Sequence, residues 1–349
     1  MNDQSPILTT DSDENSTSAP TTIVEKVKQF VSGSGAATPQ EVSAVTIKFK
    51  HVHIIINPAS GQDDLILPTL NRILQDLDIE WEMFITKQSG DARRFAEAAV
   101  AAGVDAIVAY GGDGTILDVA SGMRDSRIPM VILPGGTANV LSVELGIPRD
   151  LASAAMLLGG APNAIRSLDM GLLLSDDNNP EQVFFHLGIG LEANMNDEAD
   201  REAKDRSGIM AYVTAALKNL SNPPTSRYTM TLDGKQVEVD GINCMVTNFG
   251  SVGVAGLTLS HAIDMSDGMM DVIVFQDANI GSLLAAAASA VTAGELAQAE
   301  TLLQWQAREV IISAEPIQKV VVDGELIVPG PVTARILPNA LRVVVPAPV

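Results

Sequence analysis

The chain has a single cysteine, Cys244, among its 349 residues, so no disulfide can form within it. One thiol is typical of a protein from a reducing compartment. Cys244 lies in the apolar run Ile242–Val246. The sequence therefore predicts a buried structural thiol rather than a nucleophile.

Histidine is almost as scarce, with only His51, His53, His186 and His261. None of the four has the spacing to cysteine or carboxylate side chains that marks a metal site in a sequence. We therefore interpret all four as structural. Of these, His261 is expected to lie nearest a functional site.

Basic side chains are few: 22 Lys and Arg residues stand against 43 Asp and Glu residues, for a formal net charge of -21. Nucleic-acid binding depends on Lys and Arg that neutralise phosphates, so we expect no nucleic-acid partner. The same charge argues against attraction of the whole surface to anionic lipid. A local basic patch would still allow such contact.

No hydrophobic run approaches the roughly 18 residues that a membrane-spanning helix requires. The longest candidate, 283–293, is rich in alanine and predicts a packed or interfacial helix. The first residues show no basic segment followed by an apolar one. We therefore predict no secretory signal and a cytoplasmic location.

The chain is long enough for two domains, and 46% hydrophobic and 19% charged residues are typical of a globular protein. Residues 1–45, rich in Ser, Thr, Asp and Pro, predict a disordered acidic tail. A weak amphipathic patch at 23–31 leaves open a short docking helix. We predict an α/β domain at 46–170 and a β-sandwich at 171–349, with the last strands returning to the first domain.

Apolar runs alternate with helical segments as far as residue 139. The predicted elements are a strand ending near Ile56, a helix over 65–77, a strand over 80–86, a helix over 91–102 capped by Ser89 or Asp91, a strand over 105–110, a helix from Thr115 and a strand over 128–133. This alternation predicts right-handed βαβ units and a parallel sheet. The turns that follow its strands should share one edge, where such sheets bind ligands.

After a helix over 151–158, alternating and β-branched residues predominate, which favours an antiparallel sandwich or barrel. Two helices are predicted at about 208–220 and 281–293, and Asp233-Gly234 predicts a hairpin. The predicted strands are 164–174, 182–187, 227–232, 236–239, 242–247, 270–275, 309–313, 319–322, 333–337 and 341–345.

The turn Gly111–Thr115 (Gly-Gly-Asp-Gly-Thr) follows a buried strand and precedes a helix. That arrangement directs backbone N–H groups and the positive end of the helix dipole at an anion. A tight turn alone needs fewer glycines, so we predict phosphate binding. Asp113 has the wrong charge to attract phosphate. It would hold Mg²⁺ beside a phosphate or accept hydrogen bonds from the turn.

Two further turns follow predicted strands, Asn57–Gly61 (Asn-Pro-Ala-Ser-Gly) and Pro134–Asn139 (Pro-Gly-Gly-Thr-Ala-Asn). Either turn alone could be a simple loop. Ser60 could also hold a phosphate oxygen, Thr137 supplies a hydroxyl, and Asn139 would cap the next helix. Three such turns at one sheet edge support each other as a phosphate site.

These turns resemble those of the diacylglycerol kinase catalytic domain family, which also includes sphingosine and ceramide kinases and bacterial soluble lipid kinases. Three downstream segments match as well: 204–212 (Lys-Asp-Arg-Ser-Gly-Ile-Met-Ala-Tyr), 267–271 (Asp-Gly-Met-Met-Asp) and 322–325 (Val-Asp-Gly-Glu). The segments occur in the family's order over about residues 48–349. The chain is most similar to the bacterial branch.

The resemblance implies transfer of the ATP γ-phosphate to a lipid hydroxyl, in a cleft between an α/β ATP-binding domain and a β-sandwich lipid-substrate domain. It implies ATP and Mg²⁺ as cofactors, diacylglycerol or a related lipid as acceptor, and peripheral contact with the inner face of the membrane; a homodimer stays open. The implied nucleotide-site residues are Asn57, Pro58, Ser60, Gly61, Thr86, Gly111, Gly112, Asp113, Gly114, Thr115 and Thr137.

The resemblance also implies catalytic roles for Glu325, as the base for the lipid hydroxyl, for Asp323 beside it, and for Asp113. An implied Mg²⁺ site near the sandwich consists of Asp264, Asp267 and the Met269 carbonyl. On the residues alone, 323–325 is a β-turn between two strands. Only the resemblance makes it a catalytic candidate.

Two alternatives remain. NAD kinase shares the Gly-Gly-Asp-Gly turn and a related fold, although Asn57–Gly61 and 323–325 count against it. Leu117 and Asp118 stand where the family often has Asn and Glu. That departure, together with the acidic surface, leaves open a catalytically silent nucleotide-binding regulatory protein.

Overall fold

The computed structural model of the chain describes residues 46–61, 66–176, 179–193, 225–250, 263–276 and 302–347. All of them belong to one unit, Val42–Val349. The predicted tail, the predicted helices at 208–220 and 281–293, the 204–212 segment and His261 lie outside the described residues. Within the described ranges, no helix is long and apolar enough to cross a membrane.

The first sheet has ten strands, and four of them form the parallel half that the alternating sequence predicts. They are β1 (His51–Ile56), β2 (Glu80–Ile85), β3 (Ala106–Gly111) and β4 (Met130–Pro134). Their order is β2-β1-β3-β4, and every pairing among them is parallel. Because β3 and β4 are buried along their whole length, they read as continuous apolar runs. The predicted parallel sheet is confirmed.

The helices of this half lie between successive strands of the sequence. They are α1 (Ile66–Asp76), α2 (Asp91–Ala102), α3 (Asp113–Gly122), α4 (Val140–Glu144) and α5 (Leu151–Ala155), which continues as a 3₁₀ turn over Met156–Leu158.

The bounds predicted for α2 are confirmed, but its predicted cap is wrong. Gly90 is the N-cap, in the left-handed region at φ 82°, with no side-chain cap bond. Asp91 lies one position inside the helix and accepts hydrogen bonds from the Lys87 and Gln88 backbone N–H groups.

The longest strand, β16 (Val332–Pro346), joins the parallel half to the antiparallel half. It pairs in parallel with β4 at Val343 and Met130, and antiparallel with two other strands. Two strands were predicted here, at 333–337 and 341–345; the structure has one strand with a register shift between Leu337 and Leu341. The irregularity contains Asn339, in the left-handed region at φ 54°. Its N–H donates to the buried carboxylate of Asp169 at 2.7 Å.

The other strands of this half are β5 (Asn163–Leu173), β6 (Gln182–Phe184), β8 (Ser226–Leu232), β9 (Lys235–Gly241) and β13 (Glu309–Glu315).

The second sheet is antiparallel, in the order β12-β11-β10-β7-β14-β15. Its strands are β7 (His186–Gly190), β10 (Asn243–Thr247), β11 (Met270–Phe275), β12 (Leu302–Ala307), β14 (Val320–Val322) and β15 (Glu325–Ile327). The single strand predicted over 182–187 is wrong, because the chain leaves the first sheet after β6 and enters the second at β7. Strand β12 was not predicted at all.

The two sheets pack face to face around a second hydrophobic core. Tyr228 and Met230 of the first sheet and Leu187 and Ile189 of the second are buried in it. The Tyr228 hydroxyl donates to the Ile189 carbonyl at 3.0 Å, which links the sheets directly. Cys244 is fully buried in the same core, and burial raises the pKa of its thiol to about 12. The predicted antiparallel sandwich and the structural thiol are both confirmed.

Candidate active site

The turns that follow β1, β3 and β4 lie side by side at the carboxyl edge of the parallel strands. The Asn57 N–H donates to the Tyr110 carbonyl at 3.0 Å, and the Gly135 N–H donates to the Gly111 carbonyl at 2.9 Å. The Ser60 Oγ accepts a hydrogen bond from the Gly112 N–H at 3.3 Å. Strand polarity therefore brings together three turns that are far apart in the sequence.

Glycine is required in these turns because they approach each other closely. A Cβ atom on Gly111 would collide with the Thr115 side chain, and one on Gly136 would lie 2.6 Å from the Gly112 Cα. Asn57 completes the contact, since its Nδ2 donates to the Thr115 Oγ1 at 3.0 Å. Asn57 and Thr115 thus hold the first two turns against each other.

The Asp113 carboxylate is hydrogen-bonded chiefly to the neighbouring turn, whereas the sequence predicted hydrogen bonds from its own turn. Its Oδ1 accepts a hydrogen bond from the Val140 N–H at 2.7 Å, so it caps α4 from the neighbouring turn. Burial raises the pKa of this carboxyl, while hydrogen bonds from the backbone N–H groups around Val140 act in the opposite direction. Asn139 is the N-cap residue of α4, as predicted, but its side chain makes no cap bond: it turns back and hydrogen-bonds both backbone groups of Gly136.

The Asp323-Gly324 turn joins β14 to β15 as a two-residue hairpin. Both residues have left-handed backbone conformations, at φ 46° and 89°. This is the geometry of a type I′ turn, which Asp-Gly favours. The turn predicted from the residues alone is confirmed. It leaves Glu325 exposed as the first residue of β15, the edge strand of the second sheet.

Asp323 connects this hairpin to the glycine turn of the first sheet. Its carboxylate accepts hydrogen bonds from the Phe185 N–H at 3.1 Å and the His186 N–H at 3.0 Å. Burial raises the pKa of Asp323 to about 7; the positive charge of His186 opposes that rise, and the negative charge of Asp113 adds to it. Asp113 and Asp323, from different sheets, therefore lie within electrostatic reach of each other.

A second pair of carboxylates, Asp118 on α3 and Glu325 on β15, also lies within electrostatic reach of each other. Asp118 lies on α3, and its pKa is raised first by burial and then by the negative charge of Glu325. Sequence reasoning treated Asp118 only as a departure from the family pattern. The two pairs therefore bring the 323–325 turn within electrostatic reach of α3.

His186 and Glu192 form an ion pair behind Asp323, and sequence reasoning missed both. The His186 Nε2 lies 2.8 Å from the Glu192 Oε1. Burial lowers the His186 pKa, but the charge and hydrogen bond of Glu192, with the charge of Asp323, raise it above its ordinary value. The Glu192 pKa is lowered overall. Burial raises it, but the charge and the hydrogen bond of His186 outweigh that effect.

The only sequence signal for this pair was the Gly-Ile-Gly segment at 188–190. A Cβ atom on Gly188 would collide with the Glu192 carboxylate, so glycine makes room for the ion pair. Gly190, at φ 108°, lets the chain turn back toward His186. Nothing in the sequence said which side chain would use that space.

The remaining predicted nucleotide residues lie around the same edge. The Thr86 N–H donates to the Ile56 carbonyl at 2.9 Å, which places Thr86 next to the Asn57 turn. Gly61 has φ 100°, and a Cβ atom there would collide with the Tyr110 hydroxyl. The predicted residues exposed at this edge are Pro58, Gly61, Gly114 and Thr137.

Asp267, one of the predicted Mg²⁺ residues, lies within electrostatic reach of the fully buried carboxylate of Asp169. Asp267 accepts hydrogen bonds from the Met269 N–H at 2.9 Å and the Gln306 Nε2 at 3.0 Å. Asp264 accepts a hydrogen bond from Arg166 at 3.1 Å. The pKa of Asp267 is raised by burial and also by the charges of Asp264 and Asp169. A cation would relieve this repulsion, and carboxylate oxygens suit Mg²⁺, so the group fits the predicted ion.

Comparison with known proteins agrees with this fold. A family model described as the diacylglycerol kinase catalytic domain matches residues 51–172, and one described as the YegS C-terminal NAD kinase beta sandwich-like domain matches residues 186–345. A diacylglycerol kinase of Bacillus subtilis is 28% identical over 284 residues, which cover 79% of this chain and 90% of that protein.

Two further relatives extend the comparison. An uncharacterised protein of Synechocystis is 27% identical over 329 residues, which cover 89% of this chain and 73% of that protein. The crystal structure of a diacylglycerol kinase from Bacillus anthracis superposes with a TM-score of 0.67 at 26% identity, over 86% of this chain and 98% of that one. The match therefore extends through both sheets.

Gly136→Ala tests the close approach of the turns. The added methyl group meets backbone at Gly112, so one turn must move. We expect a loss of about 1–3 kcal/mol in the free energy of unfolding, and ATP binding weakened by about tenfold or more. Chemical denaturation and calorimetric titration measure the two effects.

Gly330→Ala is the matched control, because its Cβ atom meets nothing within 4 Å. We expect that variant to unfold like the parent chain. Equal behaviour of the two variants would contradict the requirement for glycine at 136.

Proposed function

Because the chain belongs to the diacylglycerol kinase catalytic domain family and is a kinase, we propose that it transfers the γ-phosphate of ATP to the hydroxyl of diacylglycerol or a related lipid. One observation carries the proposal: Asp323 and Glu325 of the second sheet lie within electrostatic reach of Asp113 and Asp118, both on α3. The Gly111–Thr115 turn would hold the donor and the Asp323–Glu325 turn would meet the acceptor.

On the donor side, the start of α3 supports ATP as the nucleotide. Gly112 is its N-cap and makes no side-chain cap bond. The first N–H groups of the helix and the positive end of its dipole therefore suit a phosphate. The other two turns would add contacts from Ser60 and Thr137. Phosphoryl transfer needs this positioning more than covalent help from the protein.

Mg²⁺ would neutralise charge on the phosphates. Asp113 fits that ion only in part, because its Oδ1 already accepts the Val140 N–H. A carboxylate still has acceptor capacity beyond one hydrogen bond. The Asp264, Asp267 and Met269 group would hold a second Mg²⁺ with a structural role.

On the acceptor side, Glu325 is the best-placed base. It is exposed, whereas the Asp323 carboxylate is already hydrogen-bonded to two backbone N–H groups. Glu325 would take the proton of the lipid hydroxyl while that oxygen bonds to the γ-phosphorus and the bond from phosphorus to ADP breaks. Leu326 and Val328, 42% and 48% exposed, follow it in the sequence and would contact the apolar part of the lipid.

An acceptor panel tests the function. The purified chain would receive ATP labelled in the γ-phosphate, with Mg²⁺ and either diacylglycerol, a sphingoid base, phosphatidylglycerol or NAD. We expect label in a lipid. Label in NAD alone would replace the proposal with NAD kinase. ATP binding without transfer to any acceptor would favour a regulatory protein.

Glu325→Gln removes the proposed base and keeps its shape. We expect turnover to fall by about 100-fold or more, with unchanged ATP affinity, because general bases contribute on that order. Glu309→Gln is the control, since Glu309 is also an exposed first residue of a strand. Unchanged turnover in Glu325→Gln would assign the base to another residue.

Asp113→Asn and Asp113→Ala separate the charge of this residue from its capping role. Asparagine can still accept the Val140 N–H, whereas alanine cannot, so alanine alone should cost about 1 kcal/mol of stability. We expect both variants to lose transfer, and only the alanine variant to unfold at a lower temperature. Full transfer in Asp113→Asn would remove the carboxylate charge from the mechanism.

His186→Gln tests the ion pair behind Asp323. The positive charge of His186 favours ionised Asp323, so its removal raises the Asp323 pKa above about 7. Glu192, left unpaired, and Asp113 act in the same direction. If transfer needs ionised Asp323, the acid limb of the pH profile should move to higher pH, with activity partly restored near about pH 8.5. An unmoved profile would limit His186 to a structural role.

A further inference from the structure

We propose that His51, His53 and Glu82 bind a divalent transition-metal ion such as Zn²⁺. The site lies at the start of β1, whereas the phosphate turns follow its carboxyl end. His53 precedes Asn57 by four residues, which is about 13 Å along a strand. The site is therefore distinct from the Mg²⁺ positions of the proposed phosphoryl transfer, and its test does not depend on that function.

Strand geometry brings the three side chains together. His51 and His53 are two residues apart on β1, so both point to the same face of the sheet. The parallel pairing of β1 with β2 sets His53 directly opposite Glu82. One ligand atom from each residue lies within 4.8 Å of the other two. The two imidazole Nε2 atoms are 4.0 and 3.9 Å from the same Glu82 oxygen.

The hydrogen bonds of the described residues do not account for the burial of the His53 imidazole. Its side chain is only 8% exposed, and its Nε2 is too far from Glu82 for a hydrogen bond. Its Nδ1 is buried without a hydrogen-bond partner among the described residues. A metal ion near Glu82 would bind the Nε2, so the Nε2 that faces Glu82 without a hydrogen bond is the observation that supports the site, whereas the unpartnered Nδ1 is not explained by it.

The His53 ring is held in place by a neighbouring aromatic side chain. The ring of Phe84 packs against it, with centroids 4.9 Å apart, which restricts its orientation.

The donor set selects the kind of ion. Two imidazoles and one carboxylate are typical of Zn²⁺ and related metals, whereas Mg²⁺ prefers oxygen ligands. Tetrahedral zinc at about 2.0–2.1 Å from its ligands separates them by about 3.3 Å. Because Glu82 and His51 are both partly or largely exposed, they can close the remaining gap. A water molecule would complete the coordination.

Metal titration of the full chain tests this site. After treatment with EDTA, Zn²⁺ should bind by calorimetry at about one ion per chain and raise Tm by about 5 °C at 100-fold excess over Kd. Co²⁺ should give visible absorption typical of a four-coordinate site. Mg²⁺ should not compete. No Zn²⁺ binding below about 100 µM would overturn the proposal.

Glu82→Gln and His51→Asn change exposed ligands, so both variants should fold. We expect each to weaken Zn²⁺ binding by about tenfold or more and, at the same Zn²⁺ concentration, to reduce the rise in Tm to about half or less. Glu238→Gln is the matched control, because Glu238 is an exposed glutamate on β9, the strand at the other end of the sheet path. Equal Zn²⁺ affinity in the Glu82 and Glu238 variants would mean adventitious binding by an acidic surface and would overturn the site.

Discussion

The approach of Asp113 and Asp323 is the interaction on which the candidate site depends. Two carboxylates near each other repel, and burial raises the pKa of both. Backbone N–H groups compensate on both sides: Val140 donates to Asp113, and Phe185 donates to Asp323. A protonated His186 adds to this compensation. A site with two half-buried acids and a nearby helix N-terminus would suit a nucleotide that arrives with its own cation.

The two sheets fix that approach. β14 pairs with β7, so the hairpin that presents Asp323 lies beside His186, the first residue of β7. β16 pairs with β4 and β13, so the sheet that carries the glycine turn also forms one layer of the sandwich. The Gly111–Thr115 and Asp323–Glu325 turns are therefore held by the same two packed sheets. Sheet packing sets their separation, and the close approach of Gly112 to Gly136 sets the spacing between the Gly111–Thr115 and Pro134–Asn139 turns.

The two ends of strand β1 belong to different candidate sites. Its carboxyl end leads into the Asn57 turn, while its start carries the His51 and His53 pair. The buried middle of the strand lies between β2 and β3. A metal ion at its start would tie the edge strand β2 to the body of the sheet. Such an ion would stabilise the framework without taking part in the reaction.

The sequence by itself determined the parallel sheet, the Asp-Gly hairpins and the meeting of three glycine-containing turns at one sheet edge, because these depend on local periodicity, glycine positions and strand polarity. The resemblance supplied Glu325 and Asp323 as candidates, and their roles stay predictions. Tertiary structure alone decided three groupings: Asp118 with Glu325, His186 with Glu192, and His51 and His53 with Glu82. Each of these depends on strand register, on the turn after β7 or on the packing of one sheet against the other. Residue spacing shows none of these groupings. It also does not show that the chain passes from the first sheet to the second at Phe185, between β6 and β7.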